Sequence, residues 1–109
     1  MRGIIEMAGK AIELYGESLQ QIVAIEEMAE LQKEISKAIR SGATNRDAIA
    51  EEIADVEFML RKLMIIYDID AFEVERRMEN KAERLFERIE SEKRKKEENL
   101  SGACVSSRL

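Results

Sequence analysis

Two short acidic motifs hold the residues that are best suited to chemistry in this sequence. Residues 26–30 read EEMAE, and residues 51–55 read EEIAD. In both motifs two acidic residues are three positions apart, a spacing that places their carboxylates on one face of a helix about one turn apart. Carboxylate oxygens are the ligands that Mg²⁺ and Mn²⁺ prefer in proteins. The two motifs therefore predict a site for a divalent cation.

The acidic residues lie on the faces of their helices that are predicted to pack in the core. At about 100° per residue, Glu52 falls in the middle of an apolar stripe and Asp55 falls at its edge. In the preceding helix, Glu27, Glu30 and Glu34 share one ridge that apolar residues flank. A buried, unpaired carboxylate is destabilising, and converging carboxylates also repel, so either protonation with raised pKa values or a cation must compensate. We favour the cation, which carboxylates of the two helices would share.

A more ordinary interpretation of these motifs needs no metal. Acidic residues on the helices of small bundles are usually solvated, or they pair with basic side chains one turn away, and Lys33, Lys37 and Arg61 are available for such pairs. A single E-x-x-E motif is most often of this kind, whereas two copies on the core faces of adjacent antiparallel helices favour the metal site. A di-iron carboxylate site is excluded because it requires histidine, which the sequence lacks.

A row of basic residues follows the edge of the apolar stripe in the last predicted helix. Its members are Arg77, Lys81, Arg84 and Arg88, at spacings of four, three and four. Such a row beside an acidic metal site is what a metal-bound polyphosphate requires, because lysine and arginine neutralise the phosphate oxygens that the metal leaves free. The same residues also fit a solvated face, or ion pairs with the acidic helices.

Composition excludes several other chemistries. The chain has 109 residues, with 18 basic and 23 acidic residues and a net charge of −5, so nothing suggests a nucleic-acid partner. The absence of histidine excludes imidazole catalysis and His-ligated zinc, and the single cysteine, Cys104, cannot form an internal disulfide. No apolar run is long enough for a membrane span or a signal peptide. We therefore expect a cytoplasmic protein with no membrane partner.

The elements that must position these residues are helices. Apolar residues recur at spacings of three and four nearly everywhere, and no proline interrupts them, so we predict an all-α fold. The predicted helices cover residues 3–15, 17–40, 44–67 and 70–89, and a charged run over 90–98 follows the last of them. Short connections indicate a four-helix bundle in one domain, residues 1–98, followed by a flexible tail over residues 99–109.

The two acidic motifs, in register with this plan of helices, resemble the MazG-like family of all-α nucleoside triphosphate pyrophosphohydrolases. The signature of that family is E-E-x-x-E on one helix and E-x-x-D on the next, and residues 26–30 and 52–55 match it. The resemblance extends over residues 20–89. It includes YDID at residues 67–70 and the pattern K-x-x-R-L-x-x-R at residues 81–88.

The resemblance implies a reaction and an assembly. The reaction is hydrolysis of a nucleoside triphosphate at its α–β anhydride to the monophosphate and pyrophosphate, with Mg²⁺ as cofactor and Mn²⁺ as the alternative. Family members form homodimers or homotetramers with sites near the subunit contacts. The resemblance thus implies a MazG-like bundle that forms a dimer or tetramer. The sequence itself favours oligomerisation, because the second helix is apolar on much of its circumference.

The resemblance also assigns roles to particular residues. The implied metal ligands are Glu27, Glu30, Glu52 and Asp55, and the implied phosphate contacts are Lys81 and Arg84, with Arg88 as a further candidate. An acidic residue outside the ligand set, Glu26 or Glu34 by position, is the expected general base. Two alternatives are a phosphoribosyl-ATP pyrophosphohydrolase of histidine synthesis and a helical oligomerisation module without enzymatic activity.

Overall fold

The computed structural model describes residues 1–42 and 45–102, and within these ranges the chain is helical with no strand. Four helices follow one another along the chain. They are α1 (Ile4–Tyr15), α2 (Glu17–Ser41), α3 (Arg46–Ile66) and α4 (Ala71–Gly102). The prediction of an all-α protein with four helices is confirmed. None of these helices is long and apolar enough to cross a membrane.

Two glycines mark the ends of the first two helices. Gly16 separates α1 from α2 with a φ of +90°, and Gly42 ends α2 with a φ of +67°. Glycine adopts these backbone conformations without the steric cost that other residues meet, so both helix ends lie where the sequence predicts them. At each end the glycine amide donates a hydrogen bond to the carbonyl four residues earlier.

The third and fourth helices differ from their predicted bounds at their ends. Predicted to begin at residue 44, α3 begins at Arg46, and Thr44 itself lies outside the described residues. The prediction of a tail from residue 99 is wrong at its start, because α4 continues to Gly102. No proline occurs in the charged run before this point, so nothing forces the helix to end there. The rest of the predicted tail, residues 103–109, lies outside the described residues.

The chain divides into two units. The first spans Met1–Asp70 and contains α1, α2 and α3, which pack against one another. Its most deeply buried apolar residues are Ala8 of α1, Ala24 of α2 and Met59 of α3. Alanine at two of these three positions leaves little side-chain volume between the helices and allows close packing. The second unit begins at Ala71, and its described part is the helix α4.

Contacts along α2 and α3 show that these two helices are antiparallel. Near the beginning of α2, Gln21 accepts a hydrogen bond from the hydroxyl of Tyr67, the residue that follows α3. Further along α2, Glu34 accepts a hydrogen bond from the side-chain amide of Asn45, the residue that precedes α3. Later residues of α2 thus meet earlier residues of α3. The middles of the two helices, where both acidic motifs lie, are adjacent.

Candidate metal centre

Three carboxylates from the two acidic motifs meet between α2 and α3. They belong to Glu27 of α2 and to Glu52 and Asp55 of α3, and one oxygen of each lies within 4.8 Å of an oxygen of the other two. The spacing of three residues places the two α3 carboxylates on one face, and the antiparallel packing brings Glu27 to that face. All three residues are half-buried. We call this group the acidic cluster.

The acidic cluster raises the pKa of two of its members. Burial is the largest cause for Glu27, and the charge of Asp55, the charge of Glu30 and a hydrogen bond with Asp55 also raise its pKa. Burial is again the largest cause of the raised pKa of Glu52, followed by the charges of Asp55 and Glu27. Both shifts have the sign expected when negative charges gather in partial isolation from water. Without a cation the fully ionised cluster is therefore destabilising.

One oxygen of the acidic cluster also lacks any partner. Oε2 of Glu52 is buried and has no hydrogen-bond donor among the described residues. Buried polar atoms are normally paired, so an orphaned carboxylate oxygen calls for a further ligand. The donor set contains only carboxylate oxygens, which suits a hard cation such as Mg²⁺ or Mn²⁺. Magnesium commonly binds through a few carboxylates and completes its coordination with water or phosphate oxygens, so three carboxylates fit it.

The fourth predicted ligand, Glu30, lies beside the acidic cluster rather than in it. Glu30 is exposed and does not belong to the group of three mutually close carboxylates. Its charge nevertheless raises the pKa of both Glu27 and Glu52. The carboxylate of Glu30 is therefore within electrostatic reach of the cluster, and rotation of its long side chain is the simplest way for it to join a bound ion.

The two candidate general bases have different surroundings. The carboxylate of Glu34 accepts a hydrogen bond from Asn45 and lies 3.5 Å from the ammonium of Lys37. By contrast, Glu26 is exposed and has no hydrogen bond or ion pair with the residues that the structure describes, although its charge contributes to the raised pKa of Glu27. The carboxylate of Glu26 is thus the freer of the two to accept a proton.

One ion pair agrees with the interpretation that the acidic residues pair with basic side chains one turn away and need no metal. Lys37 pairs with Glu34 at a spacing of three residues, as the sequence allowed. Within the described ranges, Lys33 and Arg61 form no ion pair within 4.0 Å. Ion pairing thus accounts for Glu34, but it does not neutralise the acidic cluster.

The predicted phosphate-binding residues belong to the second unit. Lys81, Arg84 and Arg88 are exposed on α4, and none of them has an ion-pair partner within 4.0 Å in the part of the chain that the structure describes. Their neighbour Arg77 differs, because its guanidinium lies 3.0 Å from the carboxylate of Glu73. Three cations of the basic row are therefore available to an anionic ligand.

The sequence analysis missed a buried lysine on the helix that carries Glu52 and Asp55. Lys62 of α3 is only 8% exposed, and its ammonium lies 5.0 Å from the centre of the Phe58 ring. Burial lowers the pKa of Lys62, and the charge of Glu27 opposes this shift by raising it. Helical spacing could have identified Lys62, because it follows Asp55 by seven residues and so lies on the same face of the helix.

The raised pKa values predict how pH affects the stability of the metal-free protein. Glu27 and Glu52 have an ordinary pKa of 4.5, and each retains its proton in the folded state to a higher pH than in the unfolded chain. Their contribution to the free energy of unfolding is therefore most favourable below pH 4.5 and is lost as pH rises through the raised pKa values. We expect Glu52→Gln to unfold a few degrees above wild type at pH 7 in EDTA. This difference should shrink as pH falls through the raised pKa of Glu52, below which Glu52 is itself neutral.

Thermal unfolding followed by circular dichroism between pH 4.5 and pH 7.5 measures this effect. The matched control is Glu51→Gln, because Glu51 precedes Glu52 on the same helix and is exposed. The control should show no pH-dependent difference from wild type. A Glu52→Gln protein whose unfolding temperature follows that of wild type at every pH would contradict the electrostatic account of the cluster.

Comparisons with protein-family models, with curated proteins and with solved structures found no match to this chain.

Proposed function

We propose that this protein is an Mg²⁺-dependent nucleoside triphosphate pyrophosphohydrolase that cleaves the α–β anhydride and releases the monophosphate and pyrophosphate. The observation that supports this proposal most strongly is the acidic cluster itself. Three half-buried carboxylates gather from an E-E-x-x-E helix and an E-x-x-D helix, and one of their oxygens is buried without a partner. The all-carboxylate donor set and the order of the two motifs agree with the resemblance to MazG-like enzymes.

In this proposal the acidic cluster binds the cofactor. Glu27, Glu52 and Asp55 hold Mg²⁺, and Glu30 joins them by rotation of its side chain. When bound there, Mg²⁺ would supply positive charge to the phosphate oxygens and would make a water molecule more acidic.

The remaining residues act on the substrate and on the proton. Lys81, Arg84 and Arg88 bind the phosphate oxygens that carry the remaining negative charge. Glu26 accepts a proton from the attacking water molecule, whose oxygen forms a bond to the α-phosphorus. The bond between the α-phosphorus and the bridging oxygen breaks, and pyrophosphate leaves with that oxygen. The general base is assigned to Glu26 rather than Glu34, because Glu34 is already bound to Asn45.

We also propose that the protein assembles into a homodimer or homotetramer. Large apolar side chains remain exposed on the described parts of α1 and α2, as the apolar circumference of the second helix leads us to expect. The most exposed of them, by fraction of surface, are Ile4 (60%), Leu14 (74%), Ile25 (67%) and Ile39 (77%). Association of subunits would remove this apolar surface from water.

A panel of ribo- and deoxyribonucleoside triphosphates, incubated with and without Mg²⁺, tests the proposed reaction. We expect the monophosphate and pyrophosphate in equal amounts from at least one nucleotide, and only when Mg²⁺ is present. Diphosphate and inorganic phosphate as products would contradict cleavage at the α–β anhydride. Including phosphoribosyl-ATP in the panel distinguishes the alternative enzyme. A helical module without activity predicts no turnover, and no rise of the unfolding temperature with Mg²⁺ beyond that given by equal ionic strength.

A further inference from the structure

Lys62, which is buried as a residue, has no role in the reaction described above. Lys62 is 8% exposed, and among the described residues it forms no ion pair within 4.0 Å. A buried lysine normally loses its charge or finds an internal partner.

The surroundings of Lys62 stabilise its charged form from two sides. Its ammonium lies 5.0 Å from the centre of the Phe58 ring, within the range in which an aromatic face attracts a cation. Phe58 precedes Lys62 by one helical turn, and Asp55 by two, so the side chain of Lys62 leans along α3 toward the acidic cluster. Burial lowers the pKa of Lys62, and the charge of Glu27, on the opposite helix, acts against this shift and favours the charged form.

We propose that Lys62 is the internal counter-cation of the acidic cluster, and that it lowers the affinity of the cluster for divalent ions. Lys62 is a positioning residue, because it acts through Glu27 and does not touch the substrate. In the metal-free protein its positive charge offsets part of the repulsion among Glu27, Glu52 and Asp55. The inference rests on the proposed function to the extent that the acidic cluster is the metal centre.

This arrangement has a consequence for how the cofactor arrives. A divalent ion must share the carboxylate of Glu27 with the ammonium, and the two cations repel each other. The cluster alone then binds Mg²⁺ weakly, whereas an ion that already carries phosphate oxygens brings negative charge that offsets the ammonium. Lys62 therefore favours entry of the metal together with the triphosphate over binding of the free ion.

Calorimetric titration with Mn²⁺ alone, at constant ionic strength, tests the effect of Lys62 on metal affinity. We expect Lys62→Met, which keeps the length and removes the charge, to lower the Kd for Mn²⁺ about tenfold. Lys62→Arg, which keeps the charge, should remain close to wild type. The matched control is Arg61→Met, because Arg61 is the exposed neighbour on the same helix and loses the same charge. Equal Kd values for Lys62→Met and wild type would overturn the proposal.

A double-mutant cycle in EDTA tests the interaction of Lys62 with Glu27 without any metal. Unfolding by urea is measured for wild type, Lys62→Met, Glu27→Gln and the double variant, with Lys62→Gln in place of Lys62→Met if the latter does not fold. We expect the two substitutions to be coupled by about fivefold in the unfolding equilibrium constant. Additive effects would overturn the proposal. If Lys62→Met also binds no Mn²⁺ while the coupling is present, the proposed function fails and the role of Lys62 as counter-cation stands.

Discussion

Replacing Glu52 by glutamine, or Asp55 by asparagine, is expected to reduce the Mg²⁺-dependent release of pyrophosphate by at least about 100-fold. Each substitution keeps the shape of the side chain and removes one anionic ligand from the acidic cluster, in which the three carboxylates lie within 4.8 Å of one another. A divalent ion at the altered site is attracted by one negative charge fewer and lacks one of its ligands. Helix content should not change, because neither residue caps a helix or fills the core.

The measurements are pyrophosphate release at saturating Mg²⁺ and far-ultraviolet circular dichroism. Glu51→Gln is again the matched control, since Glu51 is exposed and lies on another face of α3. It should retain the activity of wild type. Titration with Mg²⁺ separates the two ways in which a variant can fail, because a weaker site recovers turnover at high Mg²⁺ and a site without a needed ligand does not. Undiminished turnover in both Glu52→Gln and Asp55→Asn would rule out the acidic cluster as the metal centre.

The second large effect concerns the basic row of α4. Replacing Lys81, Arg84 and Arg88 together by methionine should raise KM for the nucleoside triphosphate about 100-fold, because charge-assisted hydrogen bonds to phosphate are lost. The three residues are exposed and have no ion-pair partner within 4.0 Å in the described ranges, so their removal breaks no internal pair. The affinity of the acidic cluster for Mn²⁺ should stay unchanged, since the metal ligands are intact.

A second triple variant controls for the loss of charge. Arg94, Lys95 and Lys96 also lie on α4 and are exposed, and their replacement by methionine changes the net charge by the same amount. This control should leave KM within about twofold of wild type at physiological salt, where distant exposed charges are screened. An equal rise of KM in both triple variants would show that the nucleotide responds to overall charge and not to the basic row.

The helices were predictable because local signals determine them. Apolar spacings of three and four continue without proline, and Gly16 and Gly42 end two helices by adopting positive φ. The end of α4 was harder to predict, because the charged run near residues 90–98 has no core-facing stripe but consists largely of good helix formers. The helix propensity of these residues lets α4 continue to Gly102, whereas the loss of hydrophobic periodicity predicted a tail from residue 99.

The candidate site was predictable in part. The two acidic motifs on adjacent helices indicated Glu27, Glu52 and Asp55, which are the three residues of the acidic cluster. Helical geometry on one helix cannot show which side chains of its neighbour are close. For this reason the hydrogen bond from Asn45 to Glu34, and the charge of Lys62 near Glu27, became evident only when α2 and α3 were placed side by side.

Hydrogen bonds join α2 to α3 at both ends of the pair, and they limit how a bound ion can exchange. Tyr67 is hydrogen-bonded to Gln21 at one end, and Asn45 is hydrogen-bonded to Glu34 at the other, with the three carboxylates between them. Separation of the helices would break both hydrogen bonds, whereas rotation of the side chain of Glu27 or Glu52 breaks neither. Loading and release of an ion should therefore need only rotamer changes of the cluster side chains. Movement of the backbone would then not limit how fast the acidic cluster exchanges an ion.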